Sequence, residues 1–533
     1  MSSVSLFGQM EDLGTVKVDT PDDVAAAVRR ARAAQAQWRG SSFAQRRLLL
    51  CTIQRFIVEN TATVARVACR DSGKTQVDAV FGEIAVTCEK LRWTIAHGEK
   101  WLLPEYRDSG LMNLHKTSRV EWKPVGVVGA IVPWNYPCHN VFNPIIAATF
   151  AGNAIVIKAS EYAAWSTGYY QRVLDACLEA AGAPAGLIQI VNGFAETGNA
   201  LVSCGADKII FVGSVSVGRQ VMKACADATR VTPLVLELGG KDPFIICDDV
   251  SIGASLHQLA CRGVFQNMGQ NCAGPERFLV YDAVYEQFCD GVVGIVQRMR
   301  QGAPLHSPFI DCGALCMPQH YLHLQRLVDD AVSKGATVRA GGQPPARGDP
   351  LAAAQFYPPT ILCDVTEDML IMKEEIFGPI MCISRLPNGD AGDSEAVRIA
   401  NDCDFALSSC AHSGSTQRAA RICERLEAGM SAVNDLEGTT YLSQSLPFGG
   451  MKSSGFDRFA GVEGLRGLCH VKAIVTDRFF SLSIPGEIAY PSTGQGIDFG
   501  NSIIQIVYGY SLWQRLCGVV SIVKVSLSRP QQS

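Results

Sequence analysis

The run Gly126-Val127-Val128-Gly129-Ala130-Ile131-Val132 opens the series that decides the fold. After an Ala-rich stretch come Ala154-Ile155-Val156-Ile157-Lys158, then Ile188–Asn192, Lys208–Gly213 and Leu234–Leu238, with helical sequence such as Trp165–Ala181 between them. Strands apolar at consecutive positions are buried on both faces, and strands separated by helices pair in parallel. The segment therefore predicts an α/β fold with a covered parallel sheet. A second alternation, from Ser251 to Ser431 with runs at Phe278–Tyr281, Thr337–Ala340 and Met381–Ser384, predicts a second α/β domain.

Upstream the chain reads as helical. Thr20-Pro21-Asp22-Asp23 supplies a cap, a first-turn proline and acids at the positive end of a helix reaching Trp38. Further helical tracts are expected at Ala44–Ser72 and Gln76–Trp101, and Leu111–Trp122, between Gly110 and Pro124, reads as an extended hairpin.

Composition narrows the function classes. The 533 residues are 47% hydrophobic and 18% charged with net charge −4, so a buried core is affordable in several domains and no basic footprint for nucleic acid exists. The first residues lack a basic stretch followed by an apolar run, so the 20 cysteines are expected to be reduced and the protein cytoplasmic. Cys312 and Cys316 have no matching Cys/His pair, and no metal site is expected. No stretch reaches the roughly 20 unbroken apolar residues of a spanning helix. Asn501–Leu527 is nonetheless rich in Ile, Val, Leu and aromatics. That composition suits a helix lying in a membrane surface or a segment covering a subunit.

Several segments could carry chemistry. In Asn267-Met268-Gly269-Gln270-Asn271-Cys272-Ala273-Gly274 a thiol is framed by glycines and polar residues, which keeps it accessible on a tight turn. With 20 cysteines present most must be packing residues, and on this segment alone the packing role is the stronger reading. In Leu234-Val235-Leu236-Glu237-Leu238-Gly239-Gly240-Lys241 a carboxylate interrupts an apolar strand. Burial would raise its pKa toward that of a general base, while pairing with Lys241 is an equal alternative. Lys208–Gly213 followed by Ser214 offers backbone N–H groups and a helix N-terminus to a phosphate, or an ordinary βα turn. Asn135, in Pro133-Trp134-Asn135-Tyr136-Pro137, is an oxyanion donor or a turn former. Lys158 and Glu161 stand at a strand's C-terminal end. Glu161 could accept from ribose hydroxyls and would repel a 2′-phosphate, which favours NAD over NADP, or the two residues form an ordinary surface ion pair.

Together these segments, with Glu374-Glu375-Ile376-Phe377-Gly378-Pro379 and Pro447-Phe448-Gly449-Gly450, resemble the aldehyde dehydrogenase superfamily over Thr20 to Lys472. Gln270–Gly274 looks most like the plant and fungal branch, whose members are often membrane-associated. The resemblance implies NAD-dependent oxidation of a small-molecule aldehyde to an acid. Cys272 would be the nucleophile, Asn135 the oxyanion donor and Glu237 the base that hydrolyses the thioester. Lys158 and Glu161 would hold the adenosine ribose, Gly213 and Ser214 the pyrophosphate turn, Glu375 the nicotinamide ribose, and Phe377 would bound the nicotinamide pocket. It further implies an NAD-binding domain over 1–105 and 125–236, and a catalytic domain over 237–450. Oligomerisation strands at 106–124 and 470–480 would build a homodimer or homotetramer, followed by an apolar tail at 481–533. Alternatives are a coenzyme A-acylating semialdehyde dehydrogenase, which Glu237 disfavours, a catalytically silent binding protein of the same fold, and a cysteine hydrolase, for which no His is placed by any motif.

Overall fold

The computed structural model describes residues 2–7, 9–343, 355–436, 438–492 and 494–527, so parts of the ranges 1–105, 237–450 and 481–533 lie outside the described residues. The chain divides into two units, Met1–Leu102 with Lys123–His470, and Leu103–Trp122 with Val471–Ser533.

In the first unit the opening helix is Pro21–Trp38, closed at its start by reciprocal bonds between Thr20 and Asp23. Its apolar face repeats at helical spacing, and the Trp38 indole N–H donates to the Thr149 carbonyl. The tract expected as one helix over Ala44–Ser72 is two, Phe43–Glu59 and Thr61–Ser72. Asn60 breaks it: its side-chain amide bonds the Phe56 carbonyl, and a short polar side chain of this kind competes with the helical backbone. The next tract, Gln76–Leu102, contains a π turn at Val80–Ile84. Gly82 sits in that turn because a Cβ there would lie 2.9 Å from the Tyr136 ring.

The parallel sheet forms as expected. Its strands are β1 (Val127–Val132), β2 (Ala154–Ala159), β3 (Ile188–Asn192), β4 (Lys208–Val212) and β5 (Leu234–Glu237). A second sheet contains β6 (Asp242–Ile246), β7 (Pro275–Tyr281), β8 (Thr337–Ala340), β9 (Thr360–Cys363), β10 (Ile380–Leu386), β11 (Cys410–His412) and β12 (Ala432–Val433). A two-residue strand, β13 (Gly455–Phe456), returns antiparallel to β5 and gives the first sheet the order β13-β5-β4-β1-β2-β3. The second sheet runs β8-β9-β10-β7-β6-β11-β12 and is parallel except between β8 and β9.

Two consequences position the site. Winding reverses between β1 and β4, and in doubly wound sheets ligands bind at the strand C-termini where that happens. The register pairs Ile131 with Phe211 and Val212 with Glu237, so Pro133, Gly213 and Glu237 emerge along one edge. The chain leaves that edge through Gly239-Gly240 and enters the second sheet at the start of β6. Cys272 stands three residues before the start of β7, the neighbour of β6. The turn and the cysteine loop touch, since a Cβ on Gly240 would lie 2.7 Å from the Cys272 carbonyl oxygen.

In the second unit, Cys469–Asp477, Lys116–Pro124 and Glu105–Arg107 form a three-stranded sheet in that order. The expected hairpin differs in its start: Leu111–Asn113 is a 3-10 turn, and the long strand begins at Lys116. The tail folds into two helices, Gly496–Tyr508 and Leu512–Leu527, packed on each other. Gly518 permits that approach, because a Cβ there would sit 2.8 Å from Gln505. Leu512, Trp513, Leu516, Val520 and Leu527 are exposed. Among the described residues no helix is long and apolar enough to cross a membrane.

Candidate active site

Asn135, Gly213, Ser214, Glu237, Cys272, Glu375 and Phe377 all line one cavity of about 590 Å³. It lies at the C-terminal ends of β1, β4 and β5, the switch point of the first sheet. Lys158 and Glu161 do not line it. They pair with each other at 3.3 Å at the C-terminal end of β2.

The loop carrying Cys272 is wound left-handed, with Asn267 at φ 51°, Met268 at φ 58° and Gly269 at φ 69°. Side chains rarely adopt this conformation, and it persists only where surroundings enforce it. Here Asn267 Nδ2 donates to the Gln270 carbonyl at 3.1 Å, Gln270 Nε2 returns a bond to the Asn267 carbonyl at 3.0 Å, and the Cys316 N–H donates to Gln270 Oε1 at 2.9 Å. Gly269 is required as well as permitted, since a Cβ there would lie 2.0 Å from the Gly378 carbonyl oxygen. Thirteen of the 20 cysteines are buried, consistent with packing roles, whereas Cys272 is half-buried and reaches the cavity.

Asn135 is held so that its amide orientation is fixed. Asn140 Nδ2 donates to the Pro133 carbonyl and, at 3.0 Å, to Asn135 Oδ1. Asn135 Nδ2 donates to the Gln270 carbonyl at 3.1 Å, which leaves its second N–H for the cavity. The backbone is clamped too, because the Asn135 carbonyl accepts from Lys74 Nζ at 2.6 Å and from Asn267 Nδ2 at 2.9 Å. Lys74 in turn pairs at 2.6 Å with Glu83, both side chains fully buried. The other Glu83 oxygen accepts the Cys138 and His139 N–H groups that start helix Pro137–Phe150. Sequence reading missed Asn140, Lys74 and Glu83, since nothing local to 71–83 or 138–140 marks them.

The alternative pairing of Glu237 with Lys241 does not occur, because Lys241 bonds Glu276 at 2.8 Å. Glu237, 1% exposed, is instead left facing the thiol. Burial pushes its carboxyl up to about 7, with the Cys272 thiol and the Gly239 N–H pulling the other way. Burial, followed by the Glu237 charge, holds the Cys272 thiol well above its ordinary value. In this arrangement thiol and carboxyl share one proton problem: ionising either is costly until the other is neutral or a ligand intervenes.

Glu375 lies against the glycine turn, accepting the Gly240 N–H at 3.2 Å, and burial raises its carboxyl well above the ordinary value. The Glu276 carboxylate accepts the Ile376 and Phe377 N–H groups at 2.8–3.0 Å, which fixes Phe377 at φ 50°. The Phe377 ring meets Trp134 edge-on at 5.6 Å. Ser214 caps helix Val215–Asp227 without a side-chain bond to its first turn. A helix start of that kind at a switch point fits the phosphates of a dinucleotide. Among the described residues no cluster of His, Cys, Asp or Glu could hold a metal ion.

The model of the aldehyde dehydrogenase family matches residues 6–474. An aldehyde dehydrogenase-like protein of Schizosaccharomyces pombe is 40% identical, the match covering 94% of this chain and 97% of that one. A similar protein of Saccharomyces cerevisiae is 37% identical over 96% of this chain and 81% of its own. Among solved structures, a betaine aldehyde dehydrogenase of Staphylococcus aureus in complex with NAD+ superposes with a TM-score of 0.82 at 28% identity, covering 90% of this chain and 95% of that one. The chain belongs to the aldehyde dehydrogenase family.

Proposed function

We propose that the protein oxidises an aldehyde to a carboxylic acid with NAD, through covalent attachment to Cys272 and hydrolysis assisted by Glu237. The observation that carries this reading is the convergence of Cys272, Glu237 and Asn135 on one cavity at the switch point. Cys272 releases its thiol proton to solvent and attacks the carbonyl carbon as the thiolate. The free N–H of Asn135, with the Cys272 backbone N–H, holds the oxyanion of the thiohemiacetal. A bound nicotinamide supplies the acceptor for the hydride that leaves this carbon. Glu237 then takes a proton from water, which cleaves the thioester and frees the acid while Cys272 regains its proton.

Ser214 and the helix start behind it would hold the pyrophosphate, Glu375 the nicotinamide ribose, and Phe377 with Trp134 would wall the ring. Lys158 and Glu161 would hold the adenosine ribose, and the Glu161 carboxylate favours NAD over NADP. Acyl transfer to coenzyme A is disfavoured by a carboxylate placed to activate water. The experiment is an aldehyde panel with NAD and NADP, with and without coenzyme A. NADH formation with NAD alone is expected; a requirement for coenzyme A would replace this reading with the acylating one.

The domain division is proposed to follow the sheets, with 1–105 and 125–236 binding the dinucleotide and 237–450 supplying the nucleophile. The strands within 106–124 and 470–480 would join subunits into a homodimer or homotetramer, which light scattering reports. The tail hairpin, with exposed Trp513 and Leu516 beside Arg515, would rest on a membrane surface. Its longer helix has 16 residues, about 24 Å at 1.5 Å each, too short to span a core of roughly 30 Å. A wholly soluble full-length protein after cell fractionation would instead assign the tail to covering a subunit.

A further inference from the structure

One buried cation beside the cavity has no part in the chemistry above. Lys90, on helix Ala85–Leu102, is 4% exposed and forms no ion pair with a carboxylate among the described residues. Its ammonium donates to Asn143 Oδ1 and, at 2.8 Å, to the Phe459 carbonyl. Because an ammonium can only donate, the Asn143 oxygen must face Lys90 and its amino group must face away. Asn143 is 6% exposed and lines the cavity, and that amino group has no hydrogen-bond partner among the described residues.

The neighbours on the same helix are satisfied. His139 bonds Thr87 Oγ1 at 2.8 Å and the Tyr441 hydroxyl, and Asn140 is committed to Pro133 and Asn135. Asn143 is thus the cavity-lining polar side chain of helix Pro137–Phe150 with donors to spare. It follows Asn140 by three residues, about 4.5 Å along the axis at 1.5 Å per residue, so it stands roughly one turn beyond the group that orients the oxyanion donor. Arg458 lines the same cavity, its Nη1 on the Gly450 and Asp457 carbonyls. The carboxylates on the lining, Glu237 and Glu375, both belong to the Cys272 and glycine-turn end.

We propose that Asn143, backed by Lys90, is a subsite for an anionic oxygen group of the substrate, so that the preferred aldehydes are semialdehydes carrying a carboxylate a short chain away from the carbonyl. This rests on the aldehyde-oxidising reading above and names its substrate class. Burial holds Lys90 down at about 7, the direction expected of a cation whose anion arrives with the ligand.

The test compares kcat/KM for succinate and glutarate semialdehydes with butanal and pentanal, in wild type, Asn143→Leu and Asn143→Asp. Wild type is expected to favour the semialdehyde of each pair by about 10- to 100-fold, the scale of a hydrogen bond to a charged group. Asn143→Asp keeps the size of the side chain and can pair with Lys90 but presents a negative charge, so the preference should reverse, chiefly through KM. Asn143→Leu should bring the ratio toward one, and Asn143→Asp carries the test if the leucine variant fails to fold. Equal use of the two classes by wild type, or an unchanged ratio in Asn143→Asp, overturns the subsite while NADH formation from butanal preserves the aldehyde-oxidising reading. Absence of NADH with every aldehyde overturns that reading itself.

Discussion

The cavity has two halves built in different ways. The half facing Gly213, Ser214, Glu237 and Glu375 is made of strand ends and tight turns, where each residue is fixed by backbone bonds and close glycine contacts. The half beyond Cys272 is made of side chains from Val80–Ile84, Ala85–Leu102 and Pro137–Phe150 together with Leu436, Tyr441, Leu442 and Phe448, mostly apolar, with Phe81 and Val86 among them. Strand ends hold reacting groups within narrow limits, whereas helix faces can change size and polarity without disturbing the chemistry. Under the proposed function, reaction type belongs to the first half and substrate choice to the second.

Substitutions in the two halves should therefore separate. The largest effect is expected for Cys272→Ser, with kcat reduced by about 10³-fold or more while the cofactor still binds, as followed by quenching of tryptophan fluorescence. If the variant retains substantial turnover, the nucleophile lies elsewhere. For Glu237→Gln a loss of about 10²- to 10⁴-fold in steady-state turnover is expected. Wild-type activity should also fall as pH drops through about 7, since the carboxyl held at that value is protonated below it and cannot act as base. The variant should lack that limb, and a shared profile would contradict the assignment. Removing the proposed oxyanion donor by Asn135→Ala should cost about 10²- to 10³-fold in kcat with little change in cofactor affinity. By contrast, Phe448→Leu in the other half should alter KM between alkanals by roughly 10-fold at most, leaving kcat with a small aldehyde near wild type.

The smallest predicted effect concerns stability. The folded-state value of the Glu237 carboxyl lies above its ordinary 4.5, so the native state binds more protons than the unfolded chain between 4.5 and about 7. Its burial costs nothing below that window and destabilises increasingly as pH rises through it. Glu237→Gln is accordingly expected to have a higher Tm than wild type at about pH 8, with the gap closing on acidification, as read by calorimetry.

Much of the first half was legible in the sequence because strand ends and glycine turns are local features. The run at 127–132, Glu237 before Gly239-Gly240 and Cys272 between glycines each carry their geometry within a few residues. Their convergence came from the family resemblance, and the switch point of the first sheet supplies its physical reason. The choice between base and ion pair at Glu237 was open because the competing partner of Lys241, Glu276, lies 35 residues away in sequence. Asn140, Lys74 and Glu83 were invisible for the same reason: Lys74 reaches Asn135 across 61 residues. The break at Asn60 passed unnoticed because one asparagine in a helical pattern is ordinarily tolerated.

The most direct test of the account is to mix Glu237→Gln enzyme with saturating NAD and aldehyde, quench after the first turnover, and locate the adduct by peptide mass spectrometry. One acyl group on the peptide containing Cys272, accompanied by one NADH per active site, is the predicted result. NADH formed without any acyl group on that cysteine, or an adduct on a different residue, would contradict the assignment of Cys272 and Glu237 to successive steps at one carbon.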